Sequence, residues 1–244
     1  MGGITNIRIV AKYETKLLVR GWFFKVFSIL SLLASVILGS IYILSQFQRP
    51  EMVNRSVIPY IFMLVMNVGQ AVVSVFLASE YLKRDKQLDT SEVVYTRPLS
   101  NAEYLLGKMW ATLKVFFVLE VIVAMIALIM SLIKFGVHLD YLSYIWYFLL
   151  LSVPTLVFIV GLSTTLMLIL NNQAITMVIL LAYIGVTLFY IDNLYYYLFD
   201  YIGFNLPMLK SVVTGFSGLD RLINHRLCYL LLGIGLILTD VSLF

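Results

Sequence analysis

Read for apolar and polar positions alone, the chain consists of six long apolar runs divided by short polar stretches. The runs are 22–44, 57–78, 110–132, 144–170, 174–190 and 227–244. A helix needs roughly 20 residues to cross a hydrocarbon core about 30 Å thick, and these runs are of that order. The pattern predicts an all-α fold, a polytopic membrane protein with six transmembrane helices forming a single domain over residues 1–244. The fourth run is long enough to tilt or kink, and Pro154 marks the expected kink because it brings no N–H to the helix ladder. Only Asn171, Asn172 and Gln173 separate the fourth run from the fifth, which predicts a tight polar turn. The sixth run is among the shortest, ends at Phe244 without a basic anchor, and reads as the weakest of the six.

Three stretches outside the runs carry further information. In 4–21, Arg8, Lys12, Lys16 and Arg20 recur at strict four-residue spacing, with Ile7, Val10, Leu17 and Leu18 off that stripe. This predicts an N-terminal amphipathic helix lying in the membrane interface, its cations near anionic headgroups; the same residues also serve a plain cationic anchor. The stretch 79–109 is the one long, densely charged segment. The second apolar run continues as helix through Glu80–Arg84, Asp89 is placed to cap a short helix over 89–95, and Arg97-Pro98 ends it. Ser100 and Glu103 then form the two halves of a capping box that starts the next helix. The third stretch, 191–226, is too apolar for a free loop and too interrupted for a span. Its tyrosines and its breakers Gly203, Pro207, Gly215 and Gly218 predict short re-entrant or interfacial helices.

Composition agrees with the pattern. Hydrophobic residues make up 61% of the chain and charged residues 12%, against about 25% charged in a soluble domain. Mean hydropathy is +0.97. The first run is too long and too aromatic at its start for a cleaved leader. The net charge of +4 does not point to nucleic acid, because the bases sit at the ends of the runs. Arg8, Lys12, Lys16, Arg20, Lys25, Lys83, Arg84, Lys86, Arg97, Lys108 and Lys114 fall on one side, against Arg49, Arg55, Lys134, Lys210, Arg221 and Arg226 on the other. The excess predicts a cytoplasmic N-terminus, and six spans return the C-terminus to the same side.

Reactive chemistry is sparse. Cys228 is the single cysteine, so an intrachain disulfide and a Cys-rich metal site are both excluded. His138 and His225 fall in or beside outer loops and read as solvated interface residues. Gly161-Leu162-Ser163 lacks the closing glycine of a nucleophile motif, and Gly161, Ser163, Thr164 and Thr165 suit close helix packing, as does Gly233-x-Gly235. Gly107-Lys108 lacks the upstream glycine and the Ser/Thr of a phosphate loop, so no cofactor is expected in this chain and any ATP hydrolysis belongs to another polypeptide. The remaining candidates are polar residues inside the runs. Asn67 and Gln70 share a face of the second, and Glu120 lies near the middle of the third, where a carboxylate must be protonated, paired or facing a polar cavity. Either a pathway-lining role or a local structural pairing fits it; Asp240 is its sole acidic companion within a run.

The stretch 78–108, ASEYLKRDKQLDTSEVVYTRPLSNAEYLLGK, together with KYETKLLVR at 12–20 and TGFSGLD at 214–220, resembles the permease subunits of type-2 ABC exporters, in the branch common in Bacteroidetes-type bacteria. The resemblance runs over essentially the whole chain. It implies a coupling helix at 89–95, seated in a groove of a separate ATPase subunit that binds ATP and Mg. The coupling role falls on Arg84, Asp85, Asp89, Thr90, Glu92, Tyr95, Arg97 and Pro98. Charges of both signs in that stretch suit a specific, reversible protein contact. The implied assembly is a homodimer or paired permease with two ATPases. Members of the branch continue past the sixth span with a basic stretch and are apolar where Asp240 stands, so this chain resembles a truncated copy or a permease standing alone. Two other functions fit the same residues: a membrane-embedded binding or assembly module without transport, and an ion-coupled secondary carrier. The lack of an evident inverted repeat counts against the carrier.

Overall fold

The computed structural model describes residues 3–47, 56–87, 100–135, 140–191, 197–206, 210, 215 and 218–243. Seven helices account for most of them: α1 Gly3–Arg20, α2 Trp22–Phe47, α3 Val57–Gln87, α4 Asn101–Phe135, α5 Tyr141–Leu170, α6 Gln173–Phe189 and α7 Leu219–Leu243. No strand occurs among the described residues. Five of the helices, α2, α3, α4, α5 and α7, are long and apolar enough to cross a membrane.

The lengths of the last two apolar runs differ from expectation. The sixth run belongs to a helix of 25 residues that begins at Leu219, eight positions before the unbroken apolar stretch. Leu222 and Tyr229 continue its buried face at helical spacing across His225 and Arg226, which a search for apolar runs reads as loop. The fifth run, α6, is the short one at 17 residues. It starts where expected, with Asn172 as N-cap accepting from the backbone of Ala174 and Ile175, and Asn171 before it in the left-handed conformation that closes α5.

Pro154 disturbs α5 in a different way from a simple kink. Phe148–Ser152 winds as a π turn, in which the N–H of Val153 reaches back five residues to Phe148. The α-helical ladder then resumes over Val153–Leu170, with the proline in its first turn.

Helices α3 and α5 form the centre, burying 56% and 61% of their apolar stretches, whereas α2 buries 17% and turns the rest outward. Aromatic contacts seat α2 against α4, with the rings of Phe24 and Phe116 edge to face at 6.0 Å. Between helices in lipid the apolar solvent gives no hydrophobic drive, so association rests on close packing and hydrogen bonds. One such contact brings the backbones of α5 and α7 together. A Cβ on Gly161 would lie 2.9 Å from the carbonyl oxygen of Gly233, and a Cβ on Gly233 would lie 2.7 Å from the backbone nitrogen of Phe158. Thr164, one turn along α5, donates to the Asp240 carboxylate of α7. Helix α1 lies along the start of α4, where the side chain of Val10 fills the space over Gly107.

Gly233→Val is expected to lower stability by about 2–3 kcal/mol, because backbone rather than a flexible side chain blocks the new methyls. Gly185→Ala, which meets nothing within 4 Å, is the matched control. Denaturation in detergent reads the difference, and equal stability of the two variants would refute the contact.

Candidate functional site

The polar residues expected in the spans do converge. Asn67 and Gln70 are one turn apart on α3, both fully buried, and the Gln70 amide donates to the Asn67 side-chain oxygen at 2.7 Å. The Asn67 amide donates to Thr155 Oγ1 on α5 at 3.0 Å and to the carbonyl of Ile202. Glu120 on α4 is fully buried, and Gln70 and Ser152 face it. Neither bonds it with normal geometry, and among the described residues neither Glu120 oxygen nor Gln70 Oε1 has a hydrogen-bond partner.

The centre of this network is Arg226, placed by sequence reading in an outer loop. It is fully buried on α7. Its Nε donates to the carbonyl of Leu150 at 2.5 Å, one terminal nitrogen to Tyr201 at 2.8 Å, and the other to Leu151 and to Thr155 Oγ1, both at 2.6 Å. The first of these has a local cause. In an α-helix the Leu150 carbonyl would accept from residue 154, which is proline and has no N–H. The guanidinium supplies the missing donor. The adjoining His225 is also buried, at 4% exposure, rather than solvated; both corrections follow from the early start of α7.

Non-helical backbone completes the site. After a single 3-10 turn at Tyr197–Phe199, residues 200–206 fold into this half of the bundle. Asp200 is fully buried and accepts from the N–H groups of Gly203 and Asn205 at 2.8 and 2.6 Å, which holds the segment in a tight turn. Gly203 needs to be glycine twice over. Its φ is +80°, and a Cβ there would stand 2.9 Å from the Leu151 side chain and 3.3 Å from the Arg226 guanidinium. Tyr201 stacks on Tyr183 at 4.9 Å and packs against Phe158 and Tyr229. Burial, and then the neighbouring tyrosine, push its hydroxyl well above the ordinary range. Where short re-entrant or interfacial helices are expected in 191–226, the described residues 200–206 form a largely buried turn. At the same end of the bundle Lys210 bonds Asp140 at 2.5 Å. Burial opposes the charge on Asp140, but Lys210 and Ser143 outweigh it and hold the carboxyl below its usual range.

The opposite end is built on charge. Glu103 accepts from the backbone of Ser100 and Ser100 Oγ from the backbone of Glu103, both at 3.2 Å, which is the expected capping box. The same carboxylate accepts from Asn6 of α1 at 3.0 Å. Further along both helices, Glu14 and Lys108 form a buried ion pair at 2.7 Å. Arg8, Lys12, Lys16 and Arg20 are all exposed on α1, beside a second exposed stripe of Ile9, Tyr13 and Leu17. A basic stripe abutting an apolar one suits a helix half in water and half in lipid.

Of the residues expected to contact an ATPase, Arg84 and Asp85 lie on the last turns of α3. Asp89, Thr90, Glu92, Tyr95, Arg97 and Pro98 lie outside the described residues. No group of three His, Cys, Asp or Glu gathers as a metal site would need among the described residues.

Sequence reading found Asn67, Gln70 and Glu120 but missed Arg226, Thr155 and Asp200. The available signal was the continuation of helical spacing from Leu222 through Tyr229, with a proline elsewhere in the chain leaving a carbonyl in need of a donor.

Arg226→Met is expected to cost about 2–4 kcal/mol, since it strips donors from several buried carbonyls at once. Pro154→Ala in the Arg226→Met background restores a backbone donor and is expected to recover part of that loss. Additive effects in this double-mutant cycle, measured by denaturation in detergent, would show that the two residues are not coupled. Compared with protein-family models and with curated proteins, the sequence matches neither a family nor an individual relative.

Proposed function

We propose that the chain is the permease subunit of an ATP-driven type-2 ABC exporter, working as a homodimer or paired permease in the bacterial inner membrane with its N-terminus in the cytoplasm. The observation that best supports this is the length of the two helices that enter the 79–109 stretch from either side. Helix α3 runs unbroken for 31 residues and α4 for 35, lengths of roughly 46 and 52 Å. Both exceed the hydrocarbon core of about 30 Å, so each projects toward the charged stretch between them. Both helices are thus placed to carry a load from that stretch into the bundle. Helix α1 is clamped to the same end of α4 through Asn6 with Glu103 and Glu14 with Lys108, so it moves with α4.

In this reading, separate ATPase subunits bind ATP and Mg and seat the 89–95 segment. Their closure turns α3 and α4, and α6 serves as a sixth span, its 17 residues lying at the lower limit for crossing. The motif resemblance in 78–108 supplies the identity of the partner, and the helix geometry supplies a route for the force. The test is co-expression with a candidate ATPase. Asp89→Lys with Glu92→Lys is expected to cut association and membrane-stimulated ATP turnover about tenfold or more, through like-charge and desolvation penalties at the contact. Undiminished association would sink the docking role.

One observation favours a second reading, an ion-coupled carrier: Glu120, fully buried with both oxygens lacking a partner among the described residues, beside the amide ladder of Gln70 and Asn67. Intramembrane carboxyls of this kind are typical of proton and cation relays. That reading predicts that Glu120→Gln abolishes pH-dependent uptake in proteoliposomes without ATP, whereas the exporter reading predicts no such uptake in either protein.

A further inference from the structure

A cavity of about 330 Å³ opens between α1, α2, α3, α4 and α6, at the end of the bundle that carries the capping box. Its wall is apolar and aromatic, formed by Leu17, Trp22, Phe23, Phe76, Leu77 and Met177. Its polar side presents Glu14, Lys108, Thr112 and Gln173, and Lys108 and Glu14 are the buried ion pair already described. The wall continues outward along α2, where Trp22 is 74% exposed and Val26, Ile29, Leu30 and Leu33 are exposed beyond it. The cavity is therefore amphipathic, with its apolar side running onto a surface suited to lipid.

The charges decide which amphiphile fits. A ligand with a single charge, of either sign, meets a like charge at the Glu14–Lys108 pair as well as an opposite one. A ligand carrying both signs a few ångströms apart lays each against its complement, and the four charges alternate. In a site of low dielectric that difference is large, because an uncompensated charge there is costly. A carboxylate also discriminates between cations: a primary ammonium brings N–H donors for a charge-assisted bond, whereas a quaternary one brings none.

We propose that this cavity binds one phospholipid with a zwitterionic, primary-amine headgroup, its phosphate at Lys108, its ammonium at Glu14, and one acyl chain along Trp22, Phe23 and Phe76 toward the outer face of α2. Gln173, at the first turn of α6 and partly exposed, flanks the mouth. Occupancy joins α1, α2 and α6 through a single molecule, although α1 and α6 belong to distant parts of the chain. The site depends only on a membrane surrounding the bundle and not on the exporter reading.

The test uses the full chain in nanodiscs of equimolar dioleoyl phosphatidylethanolamine, phosphatidylglycerol and phosphatidylcholine, released for native mass spectrometry. The wild type is expected to retain one phosphatidylethanolamine with about tenfold preference over either other lipid, equivalent to about 1.4 kcal/mol. Gln173→Trp leaves the ion pair intact but fills the mouth, and should abolish retention. Glu14→Gln removes the negative charge and should shift retention to phosphatidylglycerol. Equal retention of the three lipids by the wild type overturns the proposal, as does a wild-type preference for the anionic lipid. Unchanged phosphatidylethanolamine retention in Gln173→Trp overturns it as well, and decides the matter alone if Glu14→Gln fails to fold. No arm needs an ATPase or a transported substrate, so the exporter reading can fail while this one stands.

Discussion

A proline in a buried helix leaves one carbonyl without its donor, and inside a bilayer no water is at hand to supply another. Pro154 does this to the Leu150 carbonyl, and much of the surrounding architecture follows from how the gap is filled. The π turn at Phe148–Ser152 and the guanidinium of Arg226 meet at that point. Arg226 reaches it only because α7 lies against α5, and α7 lies that close only because Gly161 and Gly233 present no side chains at the crossing. The cation is tolerated in full burial because carbonyls and a hydroxyl take up its donors, with the Asp200 carboxylate in its electrostatic environment. Remove any one of these and the others lose their reason: an unpaired carbonyl is costly in burial, and an unpaired guanidinium far more so.

The two ends of the bundle are held by different physics. At the α1 end, side-chain carboxylates meet an amide, an ammonium and a backbone N–H: Glu103 with Asn6 and Ser100, Glu14 with Lys108. Such contacts are local, and those of Asn6 with Glu103 and Glu14 with Lys108 each join α1 to a single turn of α4. At the other end the acceptors are mostly backbone carbonyls, of Leu150, Leu151, Tyr201 and Ile202, and the donors come from distant helices. An end built from a few side-chain contacts can pivot about them, while one woven through backbone must shift as a block. A mover at the α1 end and a resistant closure at the other is the mechanical arrangement that an ATP-driven permease, as proposed, would use.

Much of the fold is legible in the chain because apolar run length is a strong signal in a membrane protein. All six runs became helices, and the capping box at Ser100 and Glu103 formed with the reciprocal bonds its spacing implies. The basic stripe of α1 is exposed along its whole length. What was hidden shares one cause. Arg226 looks like the end of a loop because charge ordinarily stops a membrane helix, and a count of apolar neighbours cannot tell a cation facing water from one facing carbonyls. The same blindness moved the start of α7 by two turns and made α6, rather than α7, the short helix. For Glu120 the two sequence-level alternatives were a polar pathway and a local pairing. The structure gives it polar neighbours in Gln70 and Ser152 without a hydrogen bond of normal geometry to either.

The buried turn at 200–206 has one more consequence. Its backbone is grasped by Asn67 from α3, Thr155 from α5 and Arg226 from α7. Three helices thus hold one short strap, and each sees the others' positions through it. If α3 slides along α5, the carbonyls of Tyr201 and Ile202 cannot stay with both, so the strap must let go of one helix or travel with the other. The turn thus compares helix alignment: all three contacts are made together only when the three helices are in register. Release strips the Tyr201 carbonyl of its Arg226 and Thr155 donors, while Arg226 keeps its bonds to Leu150, Leu151 and Thr155 of α5.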